Sequence, residues 1–327
     1  MATIKLRSPR YETLTTPSGA VSAKLELSIG GTLRYTIIKS CEGGKAVLFE
    51  IAELCRDYLT PTIVLDFSNY PESEISISRV ITFYDGANAT GSVVSGGDTV
   101  AHIGVDGYGT FTEGANPTIS VNQFGFSKDY VNNVYNLYIP TGKSGAFQYF
   151  NATGHITTQD FSGGDTSDTI ANVGTVNFKR IDCTKYGSGR KIVFINKFGC
   201  LQELWFFLKK VETTNVKSDN YQRNIISDTG TYSTLSHPIK TFDKQGKQNH
   251  TLSSGFYPEF TNTWFEQLLL SEYVWMIRPK YTSPNNDEVV PVTVKTSNLT
   301  HKTSLNDRLI EYTIQFEEAF DYINNVR

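Results

Sequence analysis

The chain has 327 residues, with 30 Lys and Arg against 33 Asp and Glu, and a formal net charge of -3. Because a nucleic-acid surface concentrates Lys and Arg, this balance argues against nucleic acid as the main partner. The 18 Tyr and 20 Phe, beside only 19% charged residues, indicate a folded chain long enough for two domains. Neither a signal peptide nor a membrane span is expected, because no apolar run reaches about 18 residues.

The first 118 residues are predicted to form an N-terminal β domain. Residues 1–30 are polar and are interpreted as an extended N-terminal arm, or as a first strand at Ser22–Ile29. Apolar residues at helical spacing predict a short amphipathic helix within Phe49–Leu59. The Gly- and Ser-rich segment Asp85–Asp98 is predicted as a loop. Further strands are predicted at Leu33–Ile38, Thr62–Phe67 and Ser73–Tyr84.

The segment Val105–Pro117, VDGYGTFTEGANP, is predicted to be a strand or hairpin that ends in tight turns. It carries Asp106 and Glu113, which could serve as an acid–base pair or as Ca²⁺ ligands. The spacing is not that of an EF-hand, and stabilisation of the turn by Asp106 is the favoured interpretation. A domain boundary is placed near Pro117, which gives domains 1–118 and 119–327.

Local hairpins dominate the prediction for the second domain. Apolar strands on either side of Asn196–Gly199 predict a hairpin within Lys191–Lys210, with Gly199 at the positive-φ position of the turn. A second hairpin is predicted from Asn136–Ile139 to Ala146–Phe150, around Thr141–Lys143. The polar segment Gln159–Val173 is predicted as a loop. Further strands are predicted at Thr175–Ile181, Tyr273–Ile277, Val289–Val294 and, with strict alternation, Leu309–Phe316.

Two segments of this domain carry the remaining expectations. Lys217–Gln248 is polar and aperiodic, which predicts a long exposed loop or excursion of the kind used for interactions. Thr263 and Glu266 match a capping box, which predicts a helix over residues 263–271. The expected fold is therefore mainly β, with two β-sandwich-like domains that each carry a short helix.

No metal, cofactor or catalytic site is predicted. Cys41, Cys55, Cys183 and Cys200 lack the clustered spacing of zinc ligands, and buried free thiols are favoured over disulfides within the pairs 41–55 and 183–200. The five His are dispersed and no HExxH or GxSxG motif is present. Gly142–Ser144 lacks the upstream glycine of a phosphate-binding loop. The chain is therefore not expected to be an enzyme.

The abundant aromatic residues allow two interpretations. They could form a stacking platform for sugars or single strands, or they could supply core and interface, which their place in alternating strands favours. The candidate interaction residues are Lys217, Tyr221, Tyr232, Trp264 and Tyr108.

Five segments in order resemble a family of uncharacterised virion structural proteins of tailed bacteriophages. They are VDGYGTFTEGANP (105–117), RIDCTKY (180–186), FINKFGCLQELWFF (194–207), LSSGFYPEF with EQLLLSEYVWMI (252–277) and the run from Val292 to Asn324. The family's LNTG-like turn before the helix reads Leu252-Ser253-Ser254-Gly255 here. The resemblance covers most of residues 30–327 and supplies no catalytic residues.

The resemblance implies a particle component of the tail, baseplate or neck, assembled in the host cytoplasm as a homo-oligomeric ring with other virion proteins. The segments 1–30 and 217–248 are then candidate assembly arms. The alternative is a receptor- or carbohydrate-binding or capsid-decorating virion protein. An enzyme such as a polysaccharide depolymerase ranks last, since it would need a carboxylate pair in a cleft.

Overall fold

The computed structural model describes residues 1–64, 70–182, 189–280, 287–301 and 309–323. The fold is mainly β, with several sheets and few helical turns, as predicted. Among the described residues, no helix is long and apolar enough to cross a membrane.

The N-terminal part is built on a six-stranded sheet of order β4-β3-β6-β7-β1-β8. Neighbouring strands in this sheet are antiparallel, except that β1 and β7 run parallel. Strands β2 and β5 form a separate antiparallel pair. The elements are β1 (Ala2–Lys5), β2 (Tyr11–Thr15), β3 (Ser22–Ile29), β4 (Thr32–Ser40), β5 (Ala46–Glu50), α1 (Ala52–Arg56), β6 (Glu74–Tyr84), β7 (Val93–Val105) and β8 (Thr118–Ile119).

The interpretation of residues 1–30 as an extended arm is wrong. Strand β1 lies between β7 and β8, and its residues Ile4 and Lys5 are buried. Backbone pairing on both edges and an apolar side chain in the core outweigh the polar composition of this segment. The alternative, a strand at Ser22–Ile29, is confirmed with the predicted bounds.

Of the other predictions for this part of the chain, some are confirmed and some are wrong. The strand at Ser73–Tyr84 is confirmed, and the predicted helix is restricted to Ala52–Arg56 because Phe49 belongs to β5. The prediction of a loop over Asp85–Asp98 is wrong, since β7 begins at Val93 and pairs with β6. Residues 62–64 are not in a strand, and the rest of the predicted strand Thr62–Phe67 lies outside the described residues.

The middle of the chain forms two small three-stranded sheets, of orders β10-β14-β13 and β12-β11-β9. The hairpin predicted around residues 141–143 is wrong, because β10 pairs in parallel with β14 and β11 pairs with β12. The predicted loop Gln159–Val173 contains β13 and the end of β12. The strands are β9 (Gln123–Phe124), β10 (Tyr135–Pro140), β11 (Gly145–Phe150), β12 (Ile156–Phe161), β13 (Ser167–Ile170) and β14 (Gly174–Ile181).

The C-terminal part contains a seven-stranded sheet of order β16-β15-β20-β21-β23-β18-β17, and β19 pairs with β22 beside it. The predicted hairpin is confirmed as β15 and β16, with Gly199 at φ 81°. The elements are β15 (Arg190–Ile195), β16 (Leu201–Phe206), β17 (Lys210–Gln222), β18 (Ile239–Ser253), β19 (Tyr257–Pro258), α2 (Asn262–Leu269), β20 (Val274–Pro279), β21 (Asp287–Val294), β22 (Leu309–Ile310) and β23 (Thr313–Glu318).

Helix α2 packs aromatic side chains against one face of this sheet. Phe265 is fully buried and contacts Phe206, Tyr257 and Tyr312 at ring-centroid distances of 4.9–6.3 Å. The predicted capping box is wrong: the helix begins at Asn262, and its N-cap residue makes no side-chain capping bond. Burial of the aromatic face, and not a cap, therefore stabilises this short helix.

The predicted boundary near Pro117 stays a prediction. A small apolar cluster joins residues from both sides of it, including Ile103 and Val105 before the boundary and Ile119, Phe150 and Cys200 after it. The turn after β15 also packs tightly here, because a Cβ on Gly199 would lie 2.9 Å from Cβ of Val105. The two predicted domains are thus in direct contact.

Candidate assembly surface

The long hairpin of β17 and β18 extends beyond the sheet that carries it. Strand β18 pairs with β23 only through Asn249–Ser253, whereas its pairing with β17 continues to Gln222 and Ile239. We call residues Thr214–Gln248 the arm. The ten residues from Ile239 to Gln248 span roughly 33 Å at about 3.3 Å per residue.

The arm is exposed on both faces except at its base, residues 245–248. All residues of β17 are exposed, and so are the first six of β18. A two-stranded ribbon that buries neither face is marginally stable in water, because it gains backbone hydrogen bonds but little apolar burial. The predicted loop over residues 217–248 is therefore a hairpin, although its exposure was correctly expected.

Apolar side chains occupy this exposed ribbon. The rings of Tyr221 and Phe242 meet edge to face at 5.7 Å and remain 43% and 51% exposed. At the tip, Tyr232 is 66% exposed and Leu235 is 90% exposed. Surfaces of this kind, in which aromatic anchors lie among polar residues, are typical of protein interfaces.

The connection between the two arm strands, residues 223–238, is ordered by local hydrogen bonds. Arg223 N donates to Pro238 O at 2.7 Å, and Ser227 N donates to Thr231 O at 2.8 Å. Ser227 Oγ also lies 2.9 Å from the carbonyl oxygen of Thr231. Among the described residues, the hydrogen bonds of the tip join one tip residue to another. In this part of the chain the tip is shaped by its own hydrogen bonds.

A bulge separates the distal arm from its base. Lys217 faces Gln245 and Asp219 faces Phe242, so one residue of β17 lies opposite two residues of β18. Asp243, in this bulge, has φ 48°, a left-handed conformation that Asp adopts more readily than most residues. Bulges bend a strand and increase its twist, so this one sets the direction of the distal arm.

The C-terminal segment holds the base of the arm immediately beside the bulge. Gln245 exchanges two hydrogen bonds with the backbone of Ile323, at 2.9 and 3.0 Å, and Tyr322 N donates to Gly246 O at 2.8 Å. Lys247 Nζ lies 3.3 Å from Asp321 Oδ1. These contacts fix the base of the arm. They do not reach its distal part, residues 218–244.

A buried charge network lies below the base. Glu318 accepts from Arg278 at 2.5 Å and lies 3.0 Å from Nε2 of His250, with all three side chains buried. Arg278 also donates to Glu288 at 2.9 Å, while Arg190 donates to Glu212 at 3.1 Å. Charged groups removed from water need such partners, so the network ties several strands of the sheet together.

The predicted interaction residues fall in different environments. Lys217, Tyr221 and Tyr232 are exposed on the arm. Trp264 is only 1% exposed and contacts Phe126 and Phe260, so the prediction that it contacts a partner is corrected: it is a core residue of α2. Tyr108 lies beside the guanidinium of Arg7, and burial raises the pKa of its hydroxyl to about 12.

Asp106 and Glu113 differ in their hydrogen bonding. Asp106 Oδ2 is buried and lacks a hydrogen-bond partner among the described residues, so this oxygen does not support the favoured role of Asp106 as a turn acceptor, which stays a prediction. Glu113 forms the capping box instead: it accepts from Thr110 N at 3.0 Å in the short helical turn Phe111–Glu113. Its carboxylate also pairs with Lys197.

The cysteines for which the structure gives a state are free thiols. Cys55 and Cys200 are buried and Cys41 is half-buried, so the possible 41–55 disulfide is absent. Burial raises the pKa of the Cys55 thiol to about 12, which makes it unreactive. Cys183 lies outside the described residues. In the parts of the chain with described placement, no group of three His, Cys, Asp or Glu side chains could hold a metal ion.

Sequence reasoning missed Phe242, Leu235 and Ile239 as exposed apolar residues of the arm. Polar neighbours hide them in any window average. A usable signal was their isolation. Bulky apolar residues within a polar segment have no apolar neighbours in the sequence with which to form a core, so they contact either solvent or another molecule.

Neither a protein-family model, nor a curated protein, nor a solved structure matches this chain. The arrangement itself offers a long ribbon whose distal strands, among the residues that the structure describes, pair only with each other, and it carries exposed aromatic anchors. Such a ribbon can lie in a groove or extend the sheet of another molecule.

Proposed function

We propose that this chain is a structural subunit of a tailed-phage virion, a ring-forming tail, baseplate or neck protein that acts through assembly contacts. The arm carries the assembly part of the proposal. Exposed on both faces and bearing apolar side chains, it would gain most of its stability from contact with a neighbour.

Placement in a phage particle is supported by the sequence resemblance described above. Strands β16 and β23 lie within the segments that carry this resemblance, and the last two residues of β15 lie at the start of one of them. The mainly-β fold suits such a subunit, since rings with closed rotational symmetry commonly use sheet edges and extended elements at their contacts. In this proposal the arm binds neighbouring subunits, and no catalytic step is involved.

Cryo-electron microscopy of whole particles tests the proposal. The expected result is symmetric density for this chain in the tail, neck or baseplate, with each arm contacting an adjacent subunit. Density confined to distal fibres or to the capsid surface would favour the alternative. If no particle contains the chain, the proposal fails.

The alternative, a receptor- or carbohydrate-binding virion protein, is favoured by one observation. Tyr130 is 63% exposed and lies in the lining of a groove of about 380 Å³, where its ring could stack on a sugar. Glycan-array binding by the isolated chain that is lost in Tyr130→Ala would support this function. Absence of binding by the wild-type chain would count against it.

A further inference from the structure

The charge of the chain is unevenly divided between arm and body. Residues 214–248 contain five basic and three acidic residues, a net charge of +2, so the other residues carry the balance of the overall -3, which is -5. Opposite net charges favour an encounter between the arm of one molecule and the body of another. A second copy of this chain is therefore electrostatically suited to receive the arm.

The body offers a groove between Asp129–Asn132 and Pro258–Phe260, with a volume of about 380 Å³. Its charged lining residues, Asp129 and Glu259, are both acidic, while Tyr130, Val131 and Phe260 provide apolar surface. The groove thus combines apolar walls with a charge opposite to that of the arm.

The groove is held in shape before any partner binds. The carboxylate of Asp129 accepts from the backbone N–H groups of Val131 and Asn132 at 2.9 and 3.2 Å, and the backbones of Asp129 and Val134 pair. On the opposite wall, Phe260 packs against Trp264 at a ring-centroid distance of 5.8 Å. A preformed recess loses little entropy when it is filled.

We propose that the arm of one copy seats its tip, led by Leu235, in the groove between Asp129–Asn132 and Pro258–Phe260 of the next copy. Leu235 is the most exposed apolar residue of the arm, and the arm is long enough to extend well beyond its own sheet. This inference rests on the proposed function, since it names the partner of the proposed assembly arm.

The geometry of such a contact is head to tail. Arm and groove are different surfaces of one chain, so each copy uses its arm on one neighbour and its groove on the other. A heterologous contact of this kind closes into a ring when the rotation between copies permits it. A two-fold dimer would instead use both arms and both grooves between the same two molecules.

A cysteine cross-link between two separately prepared copies is the direct test. One copy carries Leu235→Cys and the other Val131→Cys, both with Cys41→Ser to remove the half-buried thiol. Mild oxidation is expected to give a disulfide-linked heterodimer at a yield at least tenfold above that of a control pair, in which Val93→Cys replaces Val131→Cys. Val93 is similarly exposed but lies on β7. Equal yields from both pairs would overturn the inference.

Complementation separates this inference from the proposed function. One variant has residues 218–244 replaced by Asn-Gly, and the other carries Val131→Arg, which blocks the groove with bulk and positive charge. Each is expected to sediment as a monomer, while an equal mixture forms a dimer that grows no further. Oligomers that persist in both variants would overturn the arm-in-groove contact and leave the assembly role intact. Absence of the chain from particles would instead remove the proposed function.

Discussion

Nε2 of His250 lies 3.0 Å from Oε1 of Glu318, and both side chains are buried where the arm joins the seven-stranded sheet. Arg278 donates to the same carboxylate oxygen. Glu318 therefore balances the charge of a buried guanidinium and also contacts the imidazole. The exposed arm is thus anchored beside a cluster of buried charged side chains.

Glu318→Gln should reduce the free energy of unfolding by about 3 kcal/mol, because it removes one charge from a buried pair. Urea unfolding at neutral pH measures the change. Glu317→Gln is the matched control: Glu317 pairs with Lys295 at 2.9 Å on the exposed side of the same strand, and its loss should cost about 0.5 kcal/mol. Equal losses in the two variants would show that the buried network is unimportant.

Phe242→Ala should separate assembly from stability. Its ring is exposed on the arm, so the free energy of unfolding of the isolated chain should change by no more than about 0.5 kcal/mol, while association should weaken. Sedimentation over a concentration series measures association. Phe316→Ala, in the core, should instead cost about 3–5 kcal/mol. Unchanged association in Phe242→Ala would contradict the interface role of the arm.

Limited trypsin digestion of the isolated chain should cut first after Arg223. This residue begins the tip, whose hydrogen bonds among the described residues stay within the tip, whereas Lys247 is held by β17 and by Asp321. Mass spectrometry of the early fragments identifies the site, and Arg223→Gln should delay the first cut. Early cleavage after Lys247 would show that the base of the arm opens as readily as its tip.

Glu12 should make stability depend on acid pH. Burial raises the pKa of its carboxyl, but the hydrogen bonds and charges of His102 and Arg10 outweigh burial and lower the pKa to about 2. The resulting stabilisation is present above the unfolded pKa near 4.5 and is lost as pH falls toward about 2. Glu12→Gln should therefore cost about 2 kcal/mol at pH 7 and less at pH 3.

Thermal unfolding at the two pH values checks this expectation for Glu12. The control is Glu42→Gln, which removes an exposed carboxylate 2.7 Å from Lys45 and should change stability by less than about 0.5 kcal/mol at either pH. A cost for Glu12→Gln that is the same at pH 7 and pH 3 would contradict the linkage.

Asp106 should show the opposite pH dependence. Burial raises the pKa of its carboxyl to about 6, against the influence of Arg7 and Arg56. Its protonated form favours the fold below the unfolded pKa near 3.8, and this contribution is lost as pH rises through about 6. Asp106→Asn should therefore stabilise the chain by about 1–2 kcal/mol at pH 7.5 and leave it unchanged near pH 4.

Urea unfolding of wild type and Asp106→Asn at pH 4.0 and 7.5 distinguishes the two cases. A variant that is less stable at pH 7.5 would show that the ionised carboxylate supports the fold. The same measurement checks the prediction that Asp106 stabilises a turn. If its carboxylate does so, Asp106→Asn would lower the free energy of unfolding at both pH values.

Sequence patterns identified the elements whose signal is local. The strand Glu74–Tyr84 and the hairpin of β15 and β16 carry their own apolar alternation and turn chemistry, and both form as predicted. Around Leu309–Phe316 the alternation of buried and exposed side chains is also correct, although the strand is interrupted at Glu311 and Tyr312. Period-two alternation survives such breaks because the core face stays the same.

Elements defined by distant pairing were missed. Strand β7 is rich in Gly, Ser and Thr and exists through its long ladder with β6, while β10 finds a parallel partner some forty residues away in β14. No window of sequence contains that information. For the arm, composition predicted exposure but not the hairpin, because a ribbon that buries neither face shows no hydrophobic period.

The position of β1 between β7 and β8 has a consequence for the order of folding. Ala2–Lys5 can complete its pairing only after residues 102–105 and 118–119 have been synthesised and brought back to it. Closing a loop of about 100 residues costs roughly 4 kcal/mol of chain entropy before any contact compensates it. The first strand made is therefore among the last to be placed in its sheet, and this late step is expected to slow folding of the N-terminal part.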